Sequence, residues 1–489
     1  MKNIVIVFSV IVCASFAAEP VAAEPDSGVL HVGWSSVSIT PDKPVALAGQ
    51  FHKRISTHVQ APVTATVLAL ETKDGDRVID QAITVSCDLV AIRDGIQAKL
   101  RERLKGKLAG FDLGKLFLNA THTHTAPVTR TDGWYNVNDK GVMKPDAYVE
   151  FMLGQIEGAV IKAWNARAPG GVNWGLGYAV VGYNRRMVYD NGKAAMYGNN
   201  KTPNFSHVEG YEDHGVETLF FFDAKKKLTG MVINVACPSQ EVEGARYLSS
   251  DFWHDVREIL KQRYGKDLHV LAWTGAAGDQ SPHLQYRKAA DQRMRKKRGG
   301  ISSTRAIGLR IAGAVDEAYA AIKDEVHTHI RFAHHVEDLK LPAWIVTEKQ
   351  YQEVKAQYDP IAAKPLDKRS TRDISRMRWH QRVLDRYARQ KEQKFYTMEL
   401  HVLRLGDVAI ATNPFELFID FGIAMKTRSK AIQVFIVELA CNSGGYLPTA
   451  RAVPGGGYSA IVQSCRVGPK GGKVLVDRTV EVINSMWKK

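Results

Sequence analysis

The segment Leu118-Asn-Ala-Thr-His-Thr-His-Thr-Ala-Pro127 sets two imidazoles, His122 and His124, two residues apart at the end of an apolar run. In extended backbone, alternate side chains point to one face, so both rings can address the same point in space. Two imidazoles so placed can ligate one metal ion, or divide into a ligand and a proton-transfer partner. A hydrogen-bonded structural pair is the plain alternative. A second segment, Gly275-Ala-Ala-Gly-Asp-Gln-Ser-Pro282, follows the apolar run 270–273 and collects small residues where backbone can approach something closely. Ser281 can present its hydroxyl there. No Gly-x-Ser-x-Gly elbow surrounds it, and a simple tight turn explains the same residues in isolation.

Groups so far apart in sequence need a framework to bring them together. Strand patterns at 63–70 and 77–85 flank Lys73-Asp-Gly-Asp76, which reads as a hairpin; 217–223 with 230–236, and 399–405 with 408–411, read likewise. These are antiparallel signatures. Helical periodicity marks 146–164, 251–263 and 303–322, with Ser249 or Ser250 to cap the second and Gly265 to end it. Two more polar helices, 347–358 and 371–391, read as a surface insertion, and a last helix spans 474–484 after a glycine-rich turn. Strands and helices mixed without strict alternation, and with no internal repeat, predict an α+β fold: mixed, largely antiparallel sheets flanked by helices.

Taken together, the two motifs resemble the neutral ceramidase family, whose catalytic domain carries Asn-x-Thr-His-Thr-His-Ser-Gly-Pro and, farther on, Gly-Asp-Val-Ser-Pro. The likeness continues in order through Val181-Gly-Tyr-Asn-Arg185, Leu248-Ser-Ser-Asp251, Asn413-Pro-Phe-Glu416, Tyr446-Leu-Pro-Thr449 and Tyr458. It implies a zinc ion held by His122, Glu416, Tyr446 and the residue at 237, where the family has His before Pro and this chain has Cys237 before Pro238. A thiolate is a good zinc ligand that lowers the ion's Lewis acidity, so the substitution leaves the site usable; loss or exchange of the metal is the competing expectation. The resemblance further implies proton transfer by His124, oxyanion stabilisation by Arg185 and Tyr458, and Ser281 in the place of the family's proposed nucleophile. A water molecule acidified by the ion is the alternative attacker.

The chain departs from the family where Thr125-Ala-Pro-Val-Thr-Arg130 replaces the Ser-Gly-Pro-Gly-Gly continuation, a loop bordering the expected metal. The resemblance covers the family's catalytic domain, and the expectation is a divergent member without its C-terminal β-sandwich domain. The implied activity is hydrolysis, with the amide of N-acyl sphingosine as one substrate. A carbohydrate or other polar, anionic substrate is the alternative enzyme reading, and a scaffold that binds a glycan without cleaving it is the non-enzymatic one.

Composition bounds these options. The 489 residues are 45% hydrophobic and 24% charged, as in a globular chain with a large core, which excludes collagen-like, coiled-coil and mainly disordered readings. Lys2, an apolar run from Ile4 to Phe16 and small residues ending at Ala23 follow the pattern of a secretory signal peptide, with Ala18 as an alternative cleavage point. The expectation is a single catalytic domain over 24–489, secreted or periplasmic, with four cysteines that require no disulfide framework. Net charge is +15, much of it within 284–395, read as a basic helical insertion. Such stretches attract anions. No nucleic-acid module is present in the pattern, so small-molecule, lipid or glycan substrates are the expected partners. His334 and His335 read as structural.

Overall fold

Strand Ser27–Ser38 is the hub of a twelve-stranded sheet. From Val29 to Ser38 it pairs with Thr64–Asp74, while its other edge meets His329–Pro342 and then Ala168–Tyr178. The sheet therefore branches, and its arms curl around a shared interior. This computed structural model describes residues 27–93, 95–322 and 324–488; the signal-peptide reading, with Ala18 and Ala23, lies outside the described residues.

Side-chain parity explains the curl. In Thr64–Asp74, Ala65, Val67 and Ala69 face one cluster, while Leu68 and Leu70 face the interior with Leu219, Phe221, Leu271, Trp273, Leu403 and Phe435. Strands apolar on both faces must be covered twice. The outer faces are sealed by helices: Ile96–Leu104 and Pro145–Asn165 on one arm, Phe252–Tyr264 and Ser303–Ile322 on the second, Ile419–Arg428 and Pro469–Ser485 on the third.

The predicted hairpins and the α+β class match this architecture. The strands beyond the hairpins complete the expected mixed sheet, and one expectation, the extent of the insertion, needs correction. Each hairpin continues through a helix into a further strand that pairs parallel: Arg77–Cys87 with Leu116–Ala120, Leu228–Val235 with His269–Thr274, and Val408–Thr412 with Gln433–Val437. The sheet is thus mixed, and one hairpin–helix–strand unit occurs three times although the sequence shows no repeat. The stretch 284–395, however, is not one insertion. Helix Ser303–Ile322 and strand His329–Pro342 belong to the core, leaving helix Lys288–Lys297 and the pair Glu348–Ala362 and Thr371–Arg389 on the surface.

Cys87, Cys237, Cys441 and Cys465 are all free. Among the described residues, no helix is long and apolar enough to cross a membrane.

Candidate active site

The site lies where the parallel strands of the three units end. Cys87 is level with Ala120, Val235 with Thr274 and Thr412 with Val437, and the loops beyond these ends carry His122, His124, Cys237, Ser281, Glu416 and Tyr446. Polar side chains tie the units together below the site. Ser86 donates to the carbonyl of Ala272, as does the Asn119 amide at 3.3 Å, and the Asn234 amide donates to that of Ile436 at 2.9 Å.

His122 follows strand Leu116–Ala120 with φ 66°, a left-handed conformation that costs energy for a side chain with Cβ. Tyr197 and Asp251 share that rare region. His122 Nδ1 donates to the carbonyl of Val90 at 2.7 Å, which fixes the tautomer and leaves Nε2 with a bare lone pair. That lone pair faces His124 Nε2 at 3.2 Å and Glu416 Oε2 at 3.5 Å. Burial, with His124 beside it, holds His122 well below the usual imidazole range.

Glu416 and Tyr446 are neighbours because strands Phe415–Leu417 and Gly445–Leu447 pair in parallel with these two residues in register. The Glu416 carboxyl, 17% exposed overall, keeps Oε2 buried with no hydrogen-bond partner. Burial raises its pKa against the opposing pull of the Tyr446 hydroxyl, Arg185, His124 and Arg93. Backbone packs closely here: a Cβ added to Gly278 would stand 2.2 Å from the Glu416 carbonyl. The close approach read from the small residues of 275–282 is onto this strand. The Asp279 carboxylate accepts from Ile419 N–H at 2.9 Å and from the Asn184 amide at 2.8 Å, locking the neighbouring Arg185 segment to it.

Arg185 Nη2 donates to Tyr446 Oη at 3.3 Å and lies 4.0 Å from Glu416; Nη1 donates to Tyr197 Oη at 3.2 Å. Tyr197 Oη also accepts from the Gln240 amide at 2.5 Å, so its own proton is directed to Ser281 Oγ, 3.1 Å away. Ser281 Oγ accepts a second bond, from the His283 N–H at 3.1 Å. Tyr458 stands beside Tyr446, ring centroids 5.6 Å apart, and is 37% exposed toward the cleft.

His124 Nδ1 lies 3.2 Å from Glu243. Burial opposes ionisation of Glu243, but His124, His283 and Arg185 outweigh it and hold the carboxyl below its ordinary range. Arg54, 1% exposed, fixes this corner by donating to the carbonyls of Ala48, His124, Glu243 and Ala245. Gly49 lies against the His124 ring, where a Cβ would come within 2.4 Å of it.

Cys237 is the exception. Its thiol is fully buried in the apolar cluster under helix Phe252–Tyr264 and donates to the Val181 carbonyl at 3.3 Å. Burial, with Asp251 and Glu241 near, pushes it well above the usual thiol range. Among the described residues, one group of three His, Cys, Asp or Glu side chains has its ligand atoms all within 4.8 Å of one another, Glu399, His401 and Cys441, and it lies elsewhere. The geometry thus does not gather Cys237 with His122 and Glu416, because Val181 rather than the cleft takes the thiol. Tyr197, Gln240, Glu243 and Arg54 escaped the sequence reading; of these only Tyr197, followed by Gly198, sits in a segment whose composition hints at a strained turn.

The donors nonetheless suit a cation. Two ligands of a tetrahedral ion at about 2.0–2.1 Å stand roughly 3.4 Å apart, close to the 3.5 Å between His122 Nε2 and Glu416 Oε2. A cation between the unprotonated His122 Nε2 and the partnerless Glu416 Oε2 would satisfy both, a part that a proton held on Glu416, whose pKa burial raises, plays in its place.

Comparison with solved structures gives the same fold. The chain is similar to the neutral ceramidase from Pseudomonas aeruginosa, with 16% identity, a TM-score of 0.68, and coverage of 94% of this chain and 74% of that one. It is equally similar to a structure described as ceramidase complexed with C2, with 16% identity, a TM-score of 0.66 and coverage of 94% and 75%. No protein-family model and no curated protein matches the sequence.

Proposed function

We propose that this chain is a metal-dependent hydrolase of the neutral-ceramidase kind, cleaving an acyl, amide-type bond. The carrying observation is the unprotonated Nε2 of His122 facing the unpartnered Oε2 of Glu416 at 3.5 Å. His122, Glu416 and Tyr446 would hold the ion, for which zinc suits the nitrogen and oxygen donors; Cys237 would not. When bound, zinc supplies a Lewis acid that polarises a carbonyl and acidifies water.

The chain's own groups account for the rest. His124, backed by Glu243, relays a proton between its Nε2 and solvent. Arg185, buried and cationic, faces the space where oxyanion charge develops, and Tyr458, beside Tyr446, donates a further hydrogen bond to it. Ser281 Oγ is occupied as acceptor from both Tyr197 and His283 N–H and meets no base, which favours water as the attacker and Ser281 as a positioning group. A secreted or periplasmic setting rests on the N-terminal pattern alone.

Metal analysis and hydrolysis of a short-chain N-acyl sphingosine and other N-acyl amides test this. The wild type should hold about one equivalent of zinc after reconstitution, and His122→Ala and Glu416→Gln should lose both metal and at least about a hundredfold in activity. Less than half an equivalent in the wild type, or activity surviving His122→Ala, overturns the proposal.

A further inference from the structure

The wall of the cleft beyond Tyr458 is aromatic and then strongly cationic. Phe51 packs against Tyr458, Trp379 and Trp134 at centroid distances of 5.9, 5.4 and 5.6 Å. Trp134 in turn is a shelf for two guanidinium groups, Arg130 at 3.9 Å and Arg382 at 5.6 Å from its ring centre. Both donate to one carboxylate, Asp132. A third guanidinium, Arg93, reaches in from the loop that also supplies Val90, the carbonyl partner of His122. Its Nη1 donates to Ser443 at 2.9 Å, while its Nε is buried with no partner. Asp132 between Arg130 and Arg382, and Glu416 on the other side of Arg93, are the carboxylates that answer these three cations, and Glu416 also answers Arg185. Burial and the charges of Arg130 and Arg382 push Arg93 down to about 9, still cationic at neutral pH.

Like charges held together with a shortage of counter-charge form a site for an oxyanion, which guanidinium groups bind in forked pairs. An acyl chain laid against them would bury guanidinium groups without compensation. A sugar ring has an apolar C–H face for the rings of Tyr458 and Trp379, and polar edges for the rest.

We propose that Arg93, Arg130 and Arg382 form an anion subsite of the cleft, and that the substrate is an acidic sugar whose carboxylate or sulfate is held there. This rests on the hydrolase reading for the place of the scissile bond, but the binding claim is testable apart from it.

N-acetylglucosamine 6-sulfate, N-acetylglucosamine, glucuronate and a short-chain N-acyl sphingosine 1-phosphate are titrated calorimetrically against wild type, Arg382→Gln, Arg93→Gln and His122→Ala. The wild type should bind the sulfated sugar at least about tenfold more tightly than its neutral parent. Arg382→Gln, a change at an exposed position, and Arg93→Gln should each erase most of that preference, Arg382→Lys should restore part of it, and His122→Ala should retain it. Glucuronate binding with the same arginine dependence supports a carboxylate as the natural anion. Equal binding of sulfated and neutral sugar, a preference indifferent to both arginines, or a stronger preference for the phosphorylated lipid overturns the proposal. Hydrolysis of neutral N-acyl sphingosine without any anion preference sinks the subsite alone. An intact preference with no hydrolysis of any amide sinks the hydrolase reading alone.

Discussion

The fate of a thiol separates likeness from geometry in this site. Cys237 occupies the position where the resembling family has histidine, and sulfur is chemically able to bind zinc. Its surroundings decide otherwise, because a fully buried Sγ donating to Val181 is protonated and turned away from His122. Cys237→Ser keeps a donor of similar reach, so metal content should equal that of the wild type, with a stability loss of about 1 kcal/mol. Cys237→His should not gain metal, and its larger ring in a packed cluster should cost about 1–3 kcal/mol by thermal denaturation. Metal lost from the serine variant and kept in the histidine one would restore sulfur to the ligand set. The histidine pair was legible because two-residue spacing at a strand end is a local pattern. Tyr197, Glu243 and Arg54 were not, since their roles arise from contacts with residues far away along the chain.

At the scale of elements, the loops depend on how the helices behind them are capped. Asp251, with φ 55°, caps helix Phe252–Tyr264 by accepting from Phe252 N–H at 2.7 Å, and also accepts from Val242 N–H at 2.8 Å. That second bond holds the segment bearing Gln240 and Glu243. Burial raises the Asp251 carboxyl to about 7, despite these two bonds. A carboxyl whose folded pKa lies above its unfolded one binds protons on folding, so its contribution is full below about pH 4 and is lost as pH rises through 7. Relative to Asp251→Asn, the wild type should therefore be more stable at pH 5 than at pH 8. A Tm difference between the two proteins that does not change with pH removes Asp251 as the cause. Hairpins and helices were readable from periodicity alone. The parallel pairings were not, because residues buried on both faces, as in 231–235, look the same whichever way the neighbour runs.

Across the whole molecule, charge and architecture act together. The net charge of +15 and the arginine-lined wall favour approach of anions over long distances. Raising salt from about 50 to 500 mM shortens the screening length severalfold. For a sulfated sugar amide, kcat/KM should fall by about tenfold over that range, and for a neutral amide it should change by less than about twofold. Equal salt responses would show that surface charge plays no part in recruitment.

The helix Thr371–Arg389 brings Trp379 and Arg382 to the cleft from outside the three hairpin–helix–strand units, which supply the groups at His122, Ser281, Glu416 and Tyr446. Part of the cationic wall is therefore carried by a piece of chain separate from those groups, while Arg93 and Arg130 sit on loops of the first unit itself. Exchanging the helical pair for another of similar span would rebuild the Trp379 and Arg382 side of the cleft while leaving the groups at His122 and Glu416, with Arg93 and Arg130, in place.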